Sequence, residues 1–77
     1  MSEVVLYTRD GCSLCRTAKN VLLAVQRERQ FAFREVDIGS SGDLYDEHRW
    51  DIPVVEIDGR RAFKHRVDAD SLKKLLS

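Results

Sequence analysis

Residues 4–25 read VVLYTRDGCSLCRTAKNVLLAV: an apolar run, a short polar loop holding two cysteines, and a long periodic segment. Val4-Val5-Leu6-Tyr7 is continuous in β-forming residues rather than alternating, which predicts a strand buried on both faces at the centre of a sheet. Beyond the cysteines, Leu14, Ala18, Val21, Leu22 and Val25 recur at helical spacing, with Arg16, Lys19, Asn20, Arg27 and Glu28 left for the solvent side. Cys12 and Cys15 therefore sit where a central strand hands over to a helix of roughly four turns.

The remaining elements follow from similar signals. Phe31 to Asp37 alternates, with Phe31 and Phe33 on one side and Ala32 and Val36 on the other, and its polar positions suggest an edge strand. Ser40-Ser41-Gly42-Asp43 supplies N-cap candidates for a short second helix, in which Leu44 and His48 share one face and Tyr45 and Arg49 another. That helix must stop by Asp51, because the residue before Pro53 is pushed away from helical dihedrals. Val54-Val55-Glu56-Ile57, Asp58-Gly59 and Arg60 to Lys64 read as a hairpin with a two-residue turn. Asp68 can cap a last helix with Leu72, Leu75 and Leu76 as its apolar stripe, and Val67 is placed to pack on Leu72 as a hydrophobic staple. The order is β-α-β-α-β-β-α, one domain over residues 1–77. A parallel first pair with a right-handed crossover, extended by the antiparallel hairpin, gives a four-stranded mixed sheet flanked by three helices.

Composition excludes several functions. Thirteen basic residues balance thirteen acidic ones, which removes the basic excess of a nucleic-acid binder, and 43% apolar residues suffice for one modest core. Val21 to Val25, the longest apolar run, is far too short to cross a bilayer, and Met1-Ser2-Glu3 does not open a signal peptide. A cytoplasmic protein is expected, without a membrane or nucleic acid as partner. In that compartment a lone cysteine pair more often serves redox chemistry or metal binding than stapling. Zinc wants four ligands, and His48 and His65 lie 33 and 50 positions beyond Cys15, so no metal is expected.

Only a thiolate attacks a disulfide, and a free cysteine near pKa 8.5 is mostly protonated in the cytoplasm. At the first turn of a helix, unpaired N–H groups and the positive end of the dipole favour an anion, which makes Cys12 the expected nucleophile. Arg9 and Arg16 would assist it and Asp10 would oppose them. Cys15, one turn on at about 5 Å by Cα spacing, lies within disulfide range and is the expected resolving thiol.

Leu6-Tyr7-Thr8 followed by Gly11-Cys12-Ser13-Leu14-Cys15 resembles the first strand and redox loop of glutaredoxins, and Ile52-Pro53-Val54-Val55 with Asp58-Gly59 resembles their proline segment and hairpin. The likeness covers nearly the whole chain and is greatest to the short glutaredoxin-like proteins of bacteria, within the thioredoxin-like superfamily. It implies a thiol-disulfide oxidoreductase that reduces protein disulfides or mixed disulfides. It further implies a cis Pro53 beside the cysteines, with Gly11, Ser13, Leu14, Ile52 and Pro53 contacting the substrate and the Ile52 backbone turned toward it.

This chain departs from the family at two places. Glutaredoxins usually carry Pro-Tyr where it has Ser13-Leu14, and those that use glutathione carry a Gly-Gly pair where the stretch Phe63-Lys64-His65-Arg66-Val67-Asp68 holds no glycine. No bound cofactor is expected, and both glutathione and a thioredoxin reductase stay open as electron source for what should be a monomer. An iron-sulfur cluster bridging two copies, and a thioredoxin-fold binding or assembly module with non-catalytic cysteines, are the other readings. Arg60 and Arg61 read as a solvated strand edge, and Tyr7, Phe31, Phe33 and Phe63 as core aromatics. Trp50 either packs under the proline loop or lies exposed for a partner protein.

Overall fold

The structure, a computed structural model, describes residues 2–40 and 42–76, with Ser40 described by its backbone alone. Its elements are β1 (Glu3–Thr8), α1 (Ser13–Glu28), β2 (Ala32–Asp37), a 3-10 turn (Ile38–Ser40), α2 (Gly42–His48), β3 (Val54–Ile57), β4 (Arg60–Lys64) and α3 (Ala69–Leu76). The strands form one mixed sheet in the order β2-β1-β3-β4, with β1 parallel to β2 and antiparallel to β3. This is the β-α-β-α-β-β-α arrangement of a thioredoxin-like fold. The capping candidate Ser41 lies outside the described residues.

β1 is central, and Val4, Val5 and Leu6 are all buried, as a continuous apolar run requires. Because strand side chains alternate, Val4 and Leu6 face one side of the sheet and Val5 and Tyr7 the other. On the first side they pack with Ala18, Leu22 and Val25 of α1, with Phe31, with Val55 of β3 and with Leu72 of α3. On the second side Tyr7 stacks on the His48 ring of α2, centroids 4.4 Å apart. So α1 and α3 cover one face and α2 the other.

The buried stripe of α1 is Cys15, Ala18, Leu22 and Val25, whereas Leu14 is 42% exposed. The spacing of 3, 4 and 3 residues defines the stripe, so a cysteine occupies the core position that Leu14 was expected to fill. α3 shows a similar difference: Leu72 is buried and Leu76 half-buried, but Leu75 is 54% exposed. Asp68 does cap α3, accepting the Ser71 N–H at 3.1 Å and the Ser71 hydroxyl at 2.7 Å. These two hydrogen bonds hold its carboxyl below the usual carboxylate range.

The hairpin turns through Asp58 (φ 53°) and Gly59 (φ 84°), the left-handed pair that a two-residue turn needs. Val55 opposes Phe63 but Glu56 opposes Arg61, so Ala62 is the extra residue of a bulge. In a regular strand Arg61 and Phe63 would share a face. The bulge instead sends Phe63 to the core beside Val55 and Arg61 to the α2 side.

Leu22 makes the most direct test of this packing, being fully buried between α1 and the sheet. Leu22→Ala is expected to cost about 2–5 kcal/mol of unfolding free energy in urea titration, while Leu23→Ala, on the exposed face, should cost well under about 1 kcal/mol.

Candidate active site

The register Tyr7 with Val54 aligns the C-terminal end of β1 with the N-terminal end of β3. The loop that leaves β1 and the segment that enters β3 therefore meet at one end of the sheet. The first carries the cysteines and the second carries Pro53, which is buried and follows a cis peptide bond from Ile52. Gly11 lies at φ 77°, a conformation open to glycine, and turns the chain into α1.

Cys12 is the N-cap of α1, in an extended conformation (φ −96°, ψ 113°), and its Sγ accepts the backbone N–H of Cys15 at 3.2 Å. Serine or aspartate usually meets this orphan donor with an oxygen. Here a sulfur does so, at the end of the helix where backbone dipoles favour negative charge. The Cys12 N–H in turn donates to the Arg9 carbonyl at 3.3 Å, which closes the loop behind it.

The two thiols differ in access. Both are free; Cys12 is half-buried, while Cys15 is 3% exposed on the core face of α1. Burial pushes the Cys15 thiol up from its ordinary 9.0 to about 12, helped by its hydrogen bond to Cys12 and opposed by the backbone of Arg9. The reachable sulfur is therefore the one at the helix end, and the buried one holds its proton. Beside them opens a cleft of about 390 Å³, whose walls include Arg9, Arg16, Lys19, Glu35 and Asp37. Lys19 and Glu35 pair across it at 3.1 Å.

The other residues expected at the site divide into two groups. Gly11, Ser13 and Leu14 stay with the cysteine loop, and Ser13 and Leu14 are exposed at the start of α1. Arg16 is exposed in the first turn, and the Arg9 guanidinium lies over the Tyr45 ring, 5.3 Å from its centroid. Ile52 is engaged through its N–H, which donates to the His48 carbonyl at 3.1 Å, as the Asp51 N–H does at 2.9 Å. Trp50 is 77% exposed and does not pack under the proline loop.

Three contacts around this loop escape the sequence. Arg61, read as a solvated edge residue, donates to Asp51 at 3.1 Å and lies 3.3 Å from Nδ1 of His48. Guanidinium only donates, so any hydrogen bond in this contact runs from Arg61 to the His48 ring. Tyr7, under the same ring, donates its hydroxyl to Glu56, and burial raises its pKa, with the Glu56 carboxylate adding to the effect. The third lies in the β4–α3 connection, where glycine was missing from the sequence. There His65 takes up φ 69° and its N–H donates to the Pro53 carbonyl at 2.8 Å. Among the described residues no three His, Cys, Asp or Glu side chains gather as a metal site.

This geometry has relatives. The family profile described as Glutaredoxin-like domain (DUF836) matches residues 3–77. The chain belongs to that family. A glutaredoxin-like protein of Dictyostelium discoideum, a YDR286C homologue, is 38% identical over 91% of this chain and 70% of its own length. Among solved structures, protein Ne2328 of Nitrosomonas europaea superposes with a TM-score of 0.85 at 23% identity, covering 99% of this chain and 92% of that one. A thioredoxin mutant from Halobacterium salinarum gives 0.72 at 19% identity, over 97% and 71% respectively, and shares the fold. No described helix of this glutaredoxin-like protein is long and apolar enough to cross a membrane.

The raised Cys15 pKa has a signed consequence for stability. Between 9.0 and about 12 the unfolded chain ionises this thiol and the folded chain does not, so the contribution is complete below pH 9 and is lost as pH rises toward 12. In denaturant melts of the reduced protein, Cys15→Ala should show a shallower fall in stability over that range than the wild type. Equal slopes would mean that the thiol is not held protonated.

Proposed function

We propose that this protein is a thiol-disulfide oxidoreductase working by a dithiol mechanism, with Cys12 as nucleophile and Cys15 as resolving thiol. The observation that carries the reading is the Cys12 sulfur capping α1 through the Cys15 N–H, with the second thiol buried one turn behind it. In the first step the Cys12 thiolate attacks one sulfur of a substrate disulfide. A Cys12–substrate disulfide forms and the other substrate sulfur leaves as a thiolate, taking up a proton from solvent. In the second, Cys15 gives up its proton and attacks Cys12 Sγ, releasing the remaining substrate sulfur and leaving Cys12–Cys15 oxidised. Two electrons have passed from the dithiol to the substrate.

The order of steps follows from what holds the Cys15 proton. After burial, the largest influence is its hydrogen bond to Cys12, joined by the Cys12 charge. The Cys12 charge is gone once Cys12 Sγ is bonded to substrate sulfur, which removes one of the influences that hold the Cys15 proton. The resolving thiol is quiet until it is needed. An external reductant, glutathione or a thioredoxin reductase, returns the two electrons; the protein acts in the cytoplasm as a monomer with no bound cofactor.

Cys12→Ser is expected to abolish reduction of a protein disulfide, to below about a thousandth of wild-type turnover. Cys15→Ser should instead accumulate a substrate-linked species on non-reducing gels and in intact mass. If neither substitution changes turnover, the cysteines are not the catalytic groups and the fold serves as a binding or assembly module.

A further inference from the structure

We infer that Arg61 is a positioning residue for binding of the substrate chain: set between Asp51 and His48, its guanidinium fixes the Ile52-Pro53 segment beside which a disulfide-bearing peptide reaches Cys12. The inference rests on the oxidoreductase reading above. Arg61 lies on β4, and β3 separates it from the strand that carries the cysteine loop. It therefore acts through the segment and not on the thiols. Its Nη1 donates to the Asp51 carboxylate at 3.1 Å, and its Nη2 lies 3.3 Å from Nδ1 of His48. One planar group thus spans the last residue of α2 and the residue before Ile52, and sets the distance of both from β4.

The surroundings steer the guanidinium to these two partners. Glu56 is its cross-strand neighbour, yet Glu56 accepts the Tyr7 hydroxyl at 3.1 Å and the ion pair of Arg61 is made with Asp51. His48 cannot follow the guanidinium outward, because it is 2% exposed and its ring is stacked on Tyr7 of central β1. A line of contacts runs from β1 through His48 to Arg61 and Asp51, and it holds by side chains a loop whose backbone is tied to the His48 carbonyl and the His65 N–H.

The Arg61 and Asp51 side chains are 41% and 31% exposed, and an ion pair so open to water adds little to overall stability. Its effect is local. Without it a smaller share of molecules holds the segment in the conformation that accepts a chain, and apparent affinity falls by that share while the chemistry at Cys12 Sγ is untouched.

The test follows single-turnover reduction by the full, pre-reduced protein of two substrates: a peptide with a mixed disulfide at a central cysteine, and 2-hydroxyethyl disulfide, too small to lie along the segment. For Arg61→Met the half-saturating peptide concentration should rise about fivefold with the limiting rate within about twofold of wild type. The rate with 2-hydroxyethyl disulfide should show no matching loss, which a general loosening of the fold would produce. Asp51→Ala removes the same ion pair from its other side and should give a like rise, with no further rise in the double variant. Arg61→Lys, which keeps the charge but meets one partner at a time, should fall between wild type and Arg61→Met. An unchanged half-saturating concentration in Arg61→Met and Asp51→Ala, or an equal loss on both disulfides, would overturn the role of Arg61. A wild-type protein that reduces neither disulfide would instead count against the oxidoreductase reading.

Discussion

Everything at this site depends on one unmet hydrogen-bond donor. A helix leaves its first N–H groups without partners, and α1 presents the Cys15 N–H to whatever residue caps it. That residue is Cys12, so the group that completes the helix is also the sulfur we propose as nucleophile. Because the donor belongs to Cys15, the same turn fixes where the second thiol sits: three residues on, facing the core between α1 and the sheet.

The rest of the fold brings other groups to that point and keeps them there. β1 is central and buried, so its C-terminal end is a firm base for the cysteine loop. Antiparallel pairing with β3 brings the Pro53 segment to the same end, and three backbone or side-chain ties hold it. The His48 carbonyl takes the Asp51 and Ile52 N–H groups, Arg61 takes the Asp51 carboxylate, and His65 donates to the Pro53 carbonyl. The hairpin bulge at Ala62 is part of the same arrangement, because without it Arg61 would face the core rather than His48.

What the sequence made legible was what local physics decides. The unbroken run Val4 to Tyr7 specified a central strand, Asp58-Gly59 a tight turn, and Asp68 a helix cap, and each is found, with Tyr7 half-buried. The cysteine pair was readable for the same reason, since its spacing alone places both residues on one helical turn. Leu14 was misplaced because a cysteine serves as a small apolar residue in the buried stripe, and hydrophobic periodicity does not count it as one. Arg61, His48 and the contact of Arg9 with Tyr45 were not legible, because they depend on the bulge and on how α2 lies against β1. Those are long-range facts with no local signature.

The central claim, that Cys12 and Cys15 form one reversible two-electron couple, is tested most directly by equilibrating the protein in dithiothreitol buffers of graded poise and counting free thiols by alkylation and mass. The account predicts that both cysteines are lost together, as an intramolecular disulfide, along a single curve in which a tenfold change of ratio corresponds to about 30 mV. Thiols that titrate separately, or that fail to join each other at any poise, would contradict it.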